Sequence, residues 1–226
     1  MPAITEGRVI RLSIDLNVLF ADQKARDKGV RGTAARMLMD AIRDGTCPAG
    51  PVQLVTSVPV IENWADSMRR HLGYSRDFAQ EKADLLYEYA NQGPMPEGPR
   101  IVVGMGHVPF GTEEQVRNSI RTRASPKNAD KLFDEIADDR NVLLTALAGE
   151  ADILATADTD LFTKGDAVAL ERSDVVLYPF GERTLVVGTP NFVAYWLRQG
   201  IIPDYAFVQS RPDDFLPKQE ATPVPG

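Results

Sequence analysis

The chain has 226 residues, of which 43% are hydrophobic, with a single cysteine, two histidines and a formal net charge of −7. That length admits one large domain or a domain with extensions, and the apolar share suffices for a sizeable core. The lone Cys47 excludes an internal disulfide and Cys-rich zinc sites, His71 and His107 alone argue against a His-built zinc centre, and no apolar run reaches the roughly 20 residues that span a bilayer.

In chain order, the first element is the apolar run Val9, Ile10, Leu12 and Ile14, a strand that ends at Asp15 with Asn17 two residues later. Leu16 to Arg26 starts a helix that Asp15 or Asn17 can cap. Thr33 caps a second helix through Leu38 and Ile42, whose apolar positions recur at three and four residues, and Gly45 ends it. TCPAGP is a turn, and VQLVTS (Val52 to Ser57) is a strand. VPVIENWADSMRRHLG follows as a helix with Pro59 in its first turn, Ile61, Trp64, Ala65 and Met68 on the apolar face, and Glu62 just past the strand end.

Tyr74 to Ala90 reads as another helix, with Phe78, Leu85, Leu86 and Tyr89 inward. IVVGMG is a strand, and Glu113 to Arg123 and Ala129 to Ile136 are helices in a segment, 91–137, that reads as an insertion. Asp138 to Glu150 is a helix, ADILAT (Ala151 to Thr156) a strand, and ADTDLF follows at once. VVLYPF and TLVVG are two further strands, and TPNFVAYWLRQG is a helix capped by Thr189 and closed by Gly200. Trp64, Tyr195 and Trp196 read as core rather than as stacking platforms for bases. Residues 1–202 are expected to form one domain, and 203–226 a mobile or partner-binding extension.

Strands alternating with helices argue for an α/β fold, a three-layer α/β/α sandwich with a largely parallel central sheet. In such a sheet the C-terminal strand ends share one edge. Asp15, Glu62, Asp138, Asp139, Asp158 and Asp160 all follow strands or open helices, so several carboxylates can meet there. Their mutual repulsion is relieved by a hard divalent cation, and oxygen ligands suit Mg²⁺ or Mn²⁺. Each acid also has a purely structural reading: Asp15 as a helix cap, Glu62 as a favourable charge in a first helical turn, Asp158 or Asp160 as a turn residue.

Taken together, SIDLNVLF, TSVPVIENWADSMRR and DDRNVLLTALAGEADILATADTDLF resemble the PIN-domain family, and within it the toxin components of bacterial toxin–antitoxin systems. The matched positions are Asp15 and Asn17, Ser57 and Glu62, Asp138 and Asp139, then Thr156, Asp158, Asp160 and Leu161, across roughly residues 8 to 200. The resemblance implies a Mg²⁺- or Mn²⁺-dependent endoribonuclease acting on single-stranded RNA. Asp15, Glu62, Asp139 and Asp158 would be its catalytic, metal-binding acids, with Asp160 replacing or assisting Asp158. Asn17 would orient the first carboxylate or bind substrate, and Ser57 and Thr156 are the other implied substrate-side polar groups. Arg117 and Arg121 are candidate phosphate contacts, set against their reading as a solvated helix face beside Glu113 and Glu114. The expected partners are RNA and a small antitoxin protein, with a homodimer admitted, no membrane, and a cytoplasmic location.

Three other readings compete. A non-catalytic RNA-binding or scaffold module could share the fold, but it would have no need for the acids. A haloacid-dehalogenase-type phosphatase also starts with a strand ending in an acid, yet it needs a second Asp where Asn17 stands. A DNA nuclease shares the acidic chemistry.

Overall fold

The computed structural model describes residues 8–92, 140–162, 174–180 and 183–210. Its strands are β1 (Ile10–Ile14), β2 (Thr46–Cys47), β3 (Gly50–Val55), β4 (Ile153–Ala155), β5 (Val175–Phe180) and β6 (Arg183–Gly188). They form one six-stranded sheet in the order β2-β3-β1-β4-β6-β5. The four inner strands are mutually parallel, with Leu12 of β1 opposite Leu54 of β3 on one side and Ile153 of β4 on the other. Both edge strands run antiparallel to their neighbours. The helices are α1 (Leu16–Asp27), α2 (Ala34–Asp44), α3 (Val58–Leu72), α4 (Arg76–Gln92), α5 (Arg140–Ala148), α6 (Pro190–Arg198) and α7 (Tyr205–Gln209), with a 3-10 turn at Thr159–Phe162. The fold is therefore α/β with a mostly parallel mixed sheet, compatible with the expected sandwich.

Side-chain alternation along the strands builds two cores. Ile10, Leu12 and Ile14 of β1, Val52 and Leu54 of β3, Ile153 of β4 and Val186 of β6 pack with α1, α2, α3, α4 and α6. Val55, Leu154, Val176, Tyr178, Leu185 and Val187 point the other way and pack with α5. Trp64 and Trp196 are buried in the first core and Tyr195 packs against it, as their sequence context suggests.

Local chemistry sets several element ends where expected. The Thr33 hydroxyl accepts the Arg36 N–H at 3.3 Å to open α2, and Gly45 closes it in the left-handed region at φ 63°. Thr189 caps α6 by accepting the Phe192 N–H, and Pro190 occupies its first turn.

Other expectations need correction. The buried stripe of α4 is Ala79, Ala83, Leu86 and Ala90, while Phe78, Leu85 and Tyr89 are only half-buried. Small alanines bring the α4 backbone close to its neighbours, and Phe78 instead stacks on Tyr74 at 4.7 Å. The turn TCPAGP forms part of a short hairpin, β2 pairing with the start of β3. The domain also continues past residue 202. Asp204 caps α7, Val208 is buried, and the Phe207 ring meets Trp196 at 4.6 Å. Burying Val208 contributes about 1.5–3 kcal/mol, enough to hold this short helix on the core. The expected strand IVVGMG, the helices Glu113 to Arg123 and Ala129 to Ile136, nearly all of the 91–137 insertion and the tail beyond Ser210 lie outside the described residues.

Candidate functional site

From β1 the chain passes through α1 and α2 to β3 on one side. It then returns across β1 to reach β4 on the other side and continues to β6. The strand order thus reverses between β1 and β4. In an open parallel sheet that reversal opens a crevice at the C-terminal strand ends, because the connections leave to opposite sides. Asp15 stands at the end of β1 and Thr156 at the end of β4, side by side at that crevice. The backbone fixes the junction: the Asp15 N–H donates to the Ala155 carbonyl at 3.0 Å, and the Thr156 N–H donates to that of Gly188 at 3.0 Å.

The Asp15 carboxylate is buried, and among the described residues the donors that hold it are neutral. Its Oδ1 accepts the Leu16 N–H at 2.5 Å, so Asp15 does cap α1. Its Oδ2 accepts from Asn17 Nδ2 at 2.6 Å and from the Thr156 hydroxyl at 2.5 Å. Both readings of Asp15 therefore hold at once, one for each oxygen. Asn17 Oδ1 accepts the Ala157 N–H at 3.0 Å, clamping α1 to the chain after β4. Having donated to Asp15, the Thr156 hydroxyl accepts the Asp158 N–H at 2.9 Å, and Asn17 Nδ2 also approaches it at 3.3 Å. Asp158 Oδ1 in turn accepts the Asp160 N–H at 2.8 Å, folding the 3-10 turn back on itself.

Desolvation by burial pushes the Asp15 pKa above its ordinary 3.8, and the negative charge of Asp158 pushes the same way. The bonds from Thr156, Leu16 and Asn17 oppose that rise without cancelling it. Among the described residues, no Lys or Arg pairs with either Asp15 or Asp158. Mg²⁺ commonly uses only one or two protein carboxylates and completes its shell with waters and substrate oxygens. The Asp15–Asp158 pair fits such an ion in donor type, and a cation would remove the repulsion that helps raise the Asp15 pKa.

The expected four-acid cluster is not assembled by what is described. Among the described residues, no three acidic, His or Cys side chains gather closely enough to hold a metal ion. Glu62 is exposed on α3. Asp160 is also exposed, whereas Asp158 is half-buried and faces Asp15 electrostatically, which distinguishes the two acids of the DTD sequence. Asp138, Asp139, Arg117, Arg121 and His107 lie outside the described residues.

Ser57 and Thr156 differ from their expected substrate-side role, because both are fully buried. The Ser57 hydroxyl lies 2.7 Å from that of Thr145, tying the start of α3 to α5. Thr156 orients Asp15 from within. Thr145 was not singled out in the sequence. Its signal is a lone hydroxyl on the apolar helix VLLTALA, whose partner is 88 residues away.

No family model matches this chain, and no curated protein or solved structure shows significant similarity to it.

Proposed function

We propose that this protein is a PIN-like, Mg²⁺- or Mn²⁺-dependent endoribonuclease that cuts single-stranded RNA, and that it is the toxin of a toxin–antitoxin pair whose small protein partner covers the acidic crevice. The observation that carries this reading is a buried carboxylate, Asp15, held by neutral donors beside a second acid at the point where the strand order reverses. An acid kept only for capping needs neither the Thr156 hydroxyl nor the Asn17 amide on its second oxygen. The order of Asp15, Asn17, Ser57, Glu62, Asp139, Thr156 and Asp158 along the chain adds the family resemblance to that geometry.

Asp15 and Asp158 would hold the ion, with Glu62 and Asp139 as the further acids the resemblance implies. A bound divalent cation supplies charge neutralisation at the phosphate and a lowered pKa for attacking water. The chain's own residues do the rest. Thr156 and Asn17 fix the Asp15 carboxylate in one orientation, and burial keeps competing water from it. Asp158, more exposed than Asp15, would be the carboxylate with room to accept a proton from the attacking water. Arg117 and Arg121 are the proposed phosphate contacts.

A second reading, a non-catalytic RNA-binding or scaffold module, draws on the fact that only two of the acids come together among the described residues. One experiment separates the two. Purified chain, freed of any bound partner, is incubated with single-stranded RNA and with single-stranded DNA, with and without Mn²⁺, beside Asp15→Asn. Metal-dependent RNA cleavage that the substitution abolishes supports the ribonuclease. Cleavage that survives the substitution or needs no metal overturns the site. RNA binding without cleavage supports the module, and cleavage of DNA alone moves the substrate.

A further inference from the structure

The acid Asp158 immediately precedes the 3-10 turn Thr159–Phe162. A 3-10 turn is used in pieces of this length, because its hydrogen-bond geometry is poorer than that of an α-helix, so contacts outside it help to set its position. Leu161 and Phe162 of the turn meet the core on the α5 side, and β5 adds a hydrogen bond. Leu161 is buried in that core. The second anchor comes from β5, where the buried Tyr178 hydroxyl donates to the Leu161 carbonyl at 2.6 Å.

Position explains why a tyrosine stands here. Val176 and Tyr178 alternate on the face of β5 that packs with α5, while Val175 and Leu177 face the other core. A phenylalanine would fill the same place in an apolar cluster. What it lacks is the donor for the carbonyl of the buried Leu161, and a buried carbonyl without a partner is costly. The same surroundings push the Tyr178 pKa up to about 12, so the hydroxyl keeps its proton and stays a donor across the working range.

We propose that Tyr178 is a positioning residue for the acidic crevice, holding the Thr159–Phe162 turn through the Leu161 carbonyl so that Asp158 stays beside Asp15. This rests on the ribonuclease reading for its effect on rate, but the mechanical link does not. The chain of contacts is continuous: Tyr178 to Leu161, through the turn to the Asp160 N–H, from there to Asp158 Oδ1, and from the Asp158 N–H to Thr156 and Asp15. Releasing the first link loosens the carboxylate at the last.

The test compares Tyr178→Phe with Val176→Ala, a substitution in the same core and on the same strand that touches no hydrogen bond. Amide hydrogen exchange is read at residues 159–162, together with kcat and KM for Mn²⁺-dependent RNA cleavage. For Tyr178→Phe, exchange at Asp160 and Phe162 should accelerate while the rest of the sheet keeps its protection. Its kcat should fall by about tenfold to a hundredfold with KM within about twofold, as for a catalytic group displaced but not removed. Val176→Ala should lower the melting temperature without either change. Exchange in the turn that is the same as wild type, or a loss of kcat that Val176→Ala matches, overturns the proposal. A wild type that cleaves no RNA defeats the ribonuclease reading alone, and the exchange data then decide the positioning role by themselves.

Discussion

The two ends of the central strands treat their carboxylates in opposite ways. At the N-terminal end, Asp152 pairs with Arg8 at 2.7 Å and accepts the Arg11 N–H at 2.9 Å. Glu150 there meets Arg11 at 2.9 Å and Arg183 at 3.3 Å. At the C-terminal end, Asp15 is more deeply buried, yet its partners are an amide, a hydroxyl and a backbone N–H, and its charged neighbour is another acid. Ion pairing at the first end stabilises the fold. The second end holds charge that folding alone would remove, and such arrangements persist where the charge serves a ligand.

The largest consequence separates activity from stability. Asp15→Asn should lower RNA cleavage by about a hundredfold or more, and its stability relative to wild type should improve as pH rises, because its amide nitrogen faces a buried donor at every pH whereas the wild-type carboxylate is penalised only once it is charged. The sign follows from linkage. The folded state holds the Asp15 pKa above 3.8, so it binds that proton more tightly than the unfolded chain does. Stability from this group is full below pH 3.8 and is lost as pH rises through the raised folded value. Asp22 shifts in the same direction but is present in both proteins and cancels in their difference. Urea midpoints measured in EDTA should therefore favour Asp15→Asn increasingly from about pH 4 to about pH 7. A gap that stays flat or narrows would mean that burial does not penalise the Asp15 charge.

Next in size, Thr156→Val keeps the shape of the buried side chain and removes a hydroxyl that donates once and accepts the Asp158 N–H. It should cost about 1–3 kcal/mol in stability and about tenfold to a hundredfold in cleavage. A protein that loses stability but keeps its rate would show that Asp15 needs no such orientation. At the opposite end, Asp152→Ala should cost a similar 1–3 kcal/mol or so, by orphaning the Arg11 N–H, and leave kcat unchanged. The smallest effect belongs to Arg183→Ala. Its partner Glu150 is also held by Arg11, and the pair is largely exposed, so thermal unfolding should register no more than about 0.5 kcal/mol.

Much of this contrast was legible in the residues. Ile10, Leu12 and Ile14 at every second position ahead of Asp15 mark a strand that ends in an acid, and the alternation of strands with helices marks the parallel sheet. Thr33, Gly45, Thr189 and Pro190 announce helix ends by chemistry that depends on a few neighbours. Asp15, Asn17, Thr156 and Asp158 could be expected to meet, since sheet topology brings parallel strand ends to one edge. On α4 Leu86 and Tyr89 meet the first core as expected, whereas Phe78, though it outranks alanine in hydrophobicity, stacks on Tyr74. Close backbone approach rewards the smaller Ala79 and Ala83 instead. Nor does anything local connect Ser57 to Thr145 or Tyr178 to Leu161. Those bonds depend on where α5 and the turn come to rest, which is a property of the assembled core. The helix at Tyr205–Gln209 escaped notice because its five residues are held by Trp196 rather than by their own periodicity.

The contrast between the two ends is tested most directly by titrating Mn²⁺ calorimetrically into wild type, Asp15→Asn and Asp152→Asn at equal concentration and pH. Wild type and Asp152→Asn should bind the ion with the same affinity, and Asp15→Asn at least about tenfold more weakly. Binding by Asp15→Asn equal to wild type, or an equal loss in Asp152→Asn, would contradict the assignment of the cation to the β1–β4 crevice.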